Sequence, residues 1–387
     1  MGIFTVGVDV GTGSARAGVF DAAGTLLAVD KRPITTWSTA PEHHTQSSAE
    51  IWEMVCAAVH GAVAAAAVDP GDAVGLAFDA TCSLVCLDAA GNAVGVDAGE
   101  PSLDERNIIL WADHRAVEQA SRINSTGHRC LRMVGGVISP EMEIPKILWL
   151  RQHMPEAYRR VVDGGRFYDL ADYLTARAAG SACVPRSLCT VVCKWNYDAN
   201  ADGTGAGWDR GFLAAAGFED GELTPDVIGE SVASPGISIA GGVGEDAAAA
   251  LGLRAGTALA VGMIDAHAGG VGCLGAGLPS DRVKALEELE CRLALVCGTS
   301  TCHMASSRKA CFVGGVWGPC YGAMFDGLHL NEGGQSAAGV RTPSIQSQSR
   351  RGHRSSNSRR RSLAIPSDPF RSLPIPSDPF RSLPIPR

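Results

Sequence analysis

At 387 residues, 45% hydrophobic and 19% charged, the chain has room for two or three domains with sizeable cores and is not a small cross-linked module. Its formal charge is -8, but residues 341–387 hold ten Arg against two Asp, a net +8, which leaves -16 for the rest and argues against a nucleic-acid-binding core. The thirteen Cys form no C-x-x-C pair. Cys82 with Cys86, Cys189 with Cys193, and Cys297 with Cys302 lack His partners at zinc spacing, so reduced and mostly buried thiols are expected.

The first element is Val6 to Phe20, VGVDVGTGSARAGVF. Val6, Val8 and Val10 alternate with Gly7 and Asp9 at strand period, and Gly11, Thr12, Gly13 and Ser14 supply a turn. Backbone N–H groups of such a turn approach an anion closely; Thr12 and Ser14 add hydroxyl donors, Arg16 adds charge, and Asp9 can hold a hydrated Mg²⁺. Taken alone, the hairpin is as well read as an ordinary glycine-rich turn. No basic-then-apolar leader precedes it, and no uncharged apolar run approaches the roughly 18 to 20 residues of a membrane span, so neither secretion nor membrane insertion is expected.

Thr25 to Asp30 extends the hairpin to a meander, and Ser47 or Ser48 caps a helix whose Ile51, Trp52, Val55, Val59 and Val63 share a face. Strands follow at Val74–Phe78 and Leu84–Leu87, and a short one at 107–110 ends in Trp111-Ala-Asp113-His114-Arg115. Helices are expected over 116–123, 144–153 and 169–178, and from about residue 196 to 223 the Gly- and Asp-rich sequence suggests loops with one short helix at 212–216. Strand order with helices between points to a mixed sheet covered by helices, an α/β fold. Residues 256–263 form a buried strand ending in Ile264-Asp265, and small residues after the acid allow a tightly packed helix. Leu293–Cys297, the turn Gly298-Thr299-Ser300 and the strand 301–306 echo the opening hairpin, which favours two duplicated domains facing one nucleotide. Beyond about Val340, Ser, Arg and Pro dominate, and SLAIPSDPFR recurs as SLPIPSDPFR; this ten-residue repetition is expected to be disordered.

Six motifs together carry a family resemblance: VGVDVGTGSARAGVFD (6–21), ILWADHRA (109–116), ISPEMEIPKILWL (138–150), GMIDAHAGGVG (262–272), CGTSTCHMA (297–305) and NEGGQSAAG (331–339). In these the chain resembles the FGGY carbohydrate kinases, in particular their ribulokinase-like pentulose kinases. The resemblance implies the actin/hexokinase/Hsp70-like, ribonuclease-H-like fold, with the first domain complete and the second truncated. Its domains are expected at 1–275 (N-terminal), 291–340 (start of the C-terminal domain) and 341–387 (repeat tail). The implied activity is MgATP-dependent phosphorylation of a hydroxyl on a ketopentose such as D-ribulose, with Asp265 as general base. Asp9 is then the magnesium-side acid, while Gly11, Thr12, Gly13, Ser14, Arg16, Gly298, Thr299 and Ser300 are nucleotide or phosphate contacts. Thr81, Trp111, Asp113, Glu141, Lys194 and Glu332 are candidate sugar contacts. Expected partners are sugar and ATP, not nucleic acid or membrane, with a homodimer as the candidate assembly and the cytoplasm as the compartment. The family's later adenosine-binding glycine turn is not found after Gly339, so the alternative expectation is a catalytically impaired, truncated isoform that binds a sugar or a partner at most. The segment SDRVKALEELE (280–290) also departs from the family's loop.

Overall fold

A computed structural model describes residues 2–97, 105–199, 207–297 and 301–335. All of these lie in one unit, Met1–Gly339; the repeat tail and the Gly298-Thr299-Ser300 turn fall outside the described residues.

The opening meander is β1 (Phe4–Gly11), β2 (Ser14–Asp21) and β3 (Leu26–Pro33), paired antiparallel. Its alternating residues do what their period dictates: Val6, Val8, Val10, Ala15, Ala17 and Val19 are buried. Helix α1 (Ser48–Ala66) starts where Ser47 accepts the Glu50 N–H and ends at Ala67 in the left-handed conformation. By length and composition α1 could cross a membrane, unlike the expectation from the sequence; its Ile51, Trp52, Val55, Val59 and Val63 are instead buried in the core beside the meander.

β4 (Ala73–Ala80) then runs parallel to β1, in a register that sets Asp9 opposite Asp79 and Val10 opposite Ala80. Strands 238–239, 258–260 and 263–264 complete a seven-stranded mixed sheet, the last two parallel to β4. The expected single strand at 256–263 is thus two short ones with a break, at Gly262, where a Cβ would fall 2.7 Å from the Phe78 carbonyl oxygen. A five-stranded sheet built from 37–40, 43–46, 84–87, 108–109 and 166–169 stands beside it, covered by helices 117–125, 143–153 and 155–162.

Helix α2 (Leu188–Lys194) precedes the expected loop region, and its Cys189, Thr190, Val191, Val192 and Cys193 are all buried. Helix α3 (Asp265–Gly275) begins at the end of strand 263–264. The segment 280–290 folds as a helix, Arg282–Leu289, because Asp281 caps it by accepting the Lys284 N–H at 2.9 Å. The chain then forms a four-stranded antiparallel sheet in the order β5 (Leu293–Cys297), β6 (Thr301–Ser307), β8 (His329–Gln335), β7 (Trp317–Tyr321). α3 packs closely on it: a Cβ at Gly270 would lie 2.9 Å from Met304 Sδ and 3.2 Å from Met324 Sδ, which is why small residues follow Asp265.

Candidate active site

A cavity of about 890 Å³ opens where the C-terminal ends of β1 and β4, the start of α3 and the strands β6 and β8 converge. Such a volume suits a small-molecule site, and strand ends in α/β sheets are where such sites form. Of the residues singled out by sequence, Asp9, Gly11, Thr12, Gly13, Arg16, Thr81, Trp111, Glu141, Lys194, Asp265 and Glu332 line it.

One wall is the opening hairpin. Arg16 Nη1 donates to Asp9 Oδ2 at 2.6 Å, fixing both chains on the solvent side of the strand pair. Gln46 Nε2 donates to the Thr12 carbonyl at 2.8 Å, and the Trp111 indole N–H donates to Thr12 Oγ1 at 3.0 Å. The turn is therefore held in place from two other elements, and a Cβ at Gly13 would meet nothing within 4 Å, leaving its backbone open to the cavity.

Asp265 is the first residue of α3 and accepts the Ala266 N–H at 2.7 Å. Burial first, and the charge of Asp9 next, push its carboxyl above the ordinary carboxylate range. Asp79, placed beside Asp9 by the parallel register, is pushed up to about 8 by burial and then by Asp9 and Asp265. Three acids thus face one space, and Asp79 is a site residue that sequence reading missed. Its signal was partial: an acid at the C-terminal end of a strand, which only parallel pairing with β1 sets against Asp9.

The opposite wall carries the longer polar side chains. His114 Nε2 donates to Glu141 Oε1 at 2.9 Å; burial opposes ionisation of Glu141, but His114 and the charge of Lys194 hold its carboxyl below the usual range. Lys194 closes α2 with Nζ 4.4 Å from the centre of the Trp317 ring. Burial alone would lower its pKa; Cys82, Glu332 and Glu141 together raise it, so the ammonium stays charged. Glu332, on β8, is held down at about 2: burial works against the charge, and His267, whose Nε2–H donates to Glu332 Oε2 at 3.0 Å, outweighs it.

Two expected contacts sit elsewhere. Asp113 is fully buried, and both its oxygens are taken by Arg115 (2.7 to 3.0 Å) and by the His44 N–H at 2.7 Å, so it braces the loop and does not line the cavity. A guanidinium two residues on folds back onto it, which no motif announces. Ser14 points to the buried face of β2 and is also off the wall. Gly298, Thr299 and Ser300 lie outside the described residues. Besides Asp79, the cavity recruits Cys82, Ser139, His267, Cys302 and Trp317, none of them anticipated.

Among the described residues, one cluster away from the cavity brings metal-ligating types together, His128, Cys130 and Asp209. Asp209 Oδ2 already accepts from Arg129 Nη2 at 2.6 Å and from the Cys130 thiol at 3.3 Å, which satisfies the group without an ion.

Comparison with known proteins places this arrangement. The N-terminal domain of the FGGY family of carbohydrate kinases matches residues 4–272, and the family's C-terminal domain matches 293–379. An FGGY carbohydrate kinase domain-containing protein of Homo sapiens is 45% identical over 340 residues, covering 87% of this chain and 59% of that protein. A D-ribulokinase of Saccharomyces cerevisiae is 41% identical over 359 residues, covering 87% of this chain and 49% of its own length. The chain thus spans about half to three-fifths of the length of these relatives. The crystal structure of xylulose kinase from Rhodospirillum rubrum superposes with a TM-score of 0.69 at 20% identity, covering 87% of this chain and 61% of that one, so the fold is the actin/hexokinase-like fold of these sugar kinases. By motif, by matched domains and by fold, the chain belongs to the FGGY family of carbohydrate kinases.

Proposed function

We propose that the chain is an ATP-dependent carbohydrate kinase that phosphorylates a hydroxyl of a ketopentose of the D-ribulose kind, with Asp265 as general base. The observation that carries this reading is the placement of Asp265 at the start of α3, facing the phosphate hairpin on one side and the Trp111, Glu141, Lys194 and Glu332 wall on the other. A sugar hydroxyl is a poor nucleophile; a carboxylate beside it takes the proton as the new P–O bond forms. The raised affinity of Asp265 for a proton suits that role, since a weakly basic carboxylate takes it less readily. The remaining chemistry is positioning and charge neutralisation.

On the phosphate side, Thr12, Arg16, Gly11 and the open backbone of Gly13 receive the nucleotide's phosphates. On the sugar side, Glu141 and Glu332 accept hydroxyl hydrogens, Lys194 donates, and Trp111 offers an apolar face. The family implies a divalent metal, and the donor set fits one. Asp9 and Asp79 lie side by side, and the elevation of Asp79, owed first to burial and then to the charges of Asp9 and Asp265, is one that a divalent cation would relieve. Asp9 and Asp79 would hold the cation, which would supply neutralisation of phosphate charge. The pentulose assignment draws on the name of the D-ribulokinase relative. A division into domains at 1–275 and 291–340, with a separate tail at 341–387, is part of the same proposal.

The test is ADP release from MgATP with a panel of ketopentoses and polyols. Activity dependent on a pentulose, reduced about 10²- to 10⁴-fold by Asp265→Asn, is the expected result. ADP release that Asp265→Asn leaves unchanged overturns the assignment, and a flat response to every sugar favours the binding-only alternative.

A further inference from the structure

Several cavity residues take no part in the proposed chemistry, and one of them is a buried histidine. His267 sits two residues after Asp265 on α3, and only 1% of its surface is exposed. A buried imidazole needs a partner for each ring nitrogen, and here both are met by different elements. Nε2 donates to Glu332 Oε2 on β8 at 3.0 Å, and Nδ1 lies 3.0 Å from Cys189 Sγ on α2. A thiol gives S–H to a neutral ring and weakly accepts N–H from a charged one, so Cys189 holds the ring's orientation in either state.

We propose that His267 is a positioning residue of the sugar site: clamped between Cys189 and Glu332, it fixes one oxygen of the Glu332 carboxylate so that the other is presented to a sugar hydroxyl. This rests on the sugar-kinase reading of the cavity and names how its second wall recognises the acceptor.

Three observations support it. The Glu332 side chain keeps 13% of its surface exposed while lining the cavity, with the Cys302 thiol also beside its carboxylate, so the side chain is open to a ligand there. A glutamate has three rotatable bonds, and ordering a free one on binding costs affinity; an imidazolium that already holds Oε2 removes that cost beforehand. The same ring touches α2, which ends in Lys194, and β8, which carries Glu332, and it rides on the helix that begins with Asp265. It therefore links the elements that carry the base, the ammonium and the carboxylate, touching the carboxylate directly. The charge balance agrees. Burial alone would lower the pKa of His267; Cys193 and Glu332 raise it to about 10. The Cys193 thiol, itself pushed up to about 11, is uncharged at neutral pH, so Glu332 supplies the counter-charge there.

The experiment measures D-ribulose binding by calorimetry without nucleotide, and steady-state constants, for the full chain, His267→Asn, Glu332→Gln and the double variant. The expected result is a sugar Kd and KM raised about tenfold in His267→Asn, KM for ATP unchanged, and less than a twofold further effect once Glu332→Gln is present. Effects of the two changes that multiply independently, or a loss confined to kcat, overturn the proposal. Where His267→Asn does not fold, Glu332→Asp carries the test, since it keeps the charge but draws the carboxylate back by one methylene; sugar affinity equal to the parent's overturns the proposal. If the unaltered chain binds and phosphorylates no ketopentose, the kinase reading falls and this inference falls with it. If the chain does so and His267→Asn matches it, only the role of His267 is lost.

Discussion

The two walls of the cavity are built differently. The hairpin wall belongs to a seven-stranded sheet in which β1 is flanked by β2 and β4, and α1 packs over the meander. The other wall draws Glu332 and Trp317 from a four-stranded sheet whose edge strand, β5, leaves Leu293 and Leu295 58% and 56% exposed, with no described residue covering them. The first wall sets Asp9 against Asp79 by backbone register, with Arg16 holding the Asp9 carboxylate. The second relies on a handful of side-chain ties: His267 to Glu332, Lys194 over Trp317, and Met304 and Met324 seated against Gly270. Damage to the first wall should therefore appear as lost stability, and damage to the second as lost affinity first.

The largest effect expected from breaking this contrast is at Leu76, which is 2% exposed and stands opposite Val6 and Leu259 at the centre of the larger sheet. Leu76→Ala should cost about 2 to 5 kcal/mol in chemical denaturation, because the strands around the void cannot close on it. A cost near zero would mean that the larger sheet is not the stiff half.

Next in size is the pH dependence of the buried tie. Glu332 is held down at about 2 from 4.5 and His267 up at about 10 from 6.5, both shifts favouring the charged forms. The pair's stabilisation is therefore complete between pH 4.5 and 6.5. It declines as pH rises from 6.5 toward 10, where the native imidazolium loses its proton, and as pH falls from 4.5 toward 2, where the native carboxylate gains one. The gap in melting temperature between the unaltered chain and the His267→Asn/Glu332→Gln double variant should be wider at pH 5.5 than at pH 9.5. An equal gap at both values would remove the ion pair from the account of how the second wall is held.

The smallest effect should be at Leu295. A lysine there meets solvent in the described unit, so Leu295→Lys should shift stability by no more than about 0.5 kcal/mol. A penalty of several kcal/mol would reveal that this face is covered in the full chain, and the contrast between the walls would need redrawing.

How much of this was legible follows from how local each signal is. The hairpin, the cap at Ser47 and the helix start at Asp265 depend on residues a few positions apart, and the structure has all three. Asp79 was overlooked because an acid at a strand end reads like any turn acid until parallel pairing sets it against Asp9. Asp113 was given a ligand role because its motif suggested one, whereas its carboxylate is consumed by Arg115. β7 and β8 were not foreseen, since Gly and Pro interrupt them and their pairing is long-range. His267 escaped notice for a similar reason: its partners lie 78 and 65 residues away along the chain.

The hydrogen bond from the Trp111 indole to Thr12 joins the two ends of the cavity through one side chain. In evolutionary terms it makes position 111 a shared asset. A smaller residue chosen to admit a bulkier acceptor would also release the turn at Thr12, so acceptor range and grip on the phosphates cannot drift independently there. Lineages that change acceptor are expected to vary Glu141, Lys194 or Glu332 before they vary Trp111.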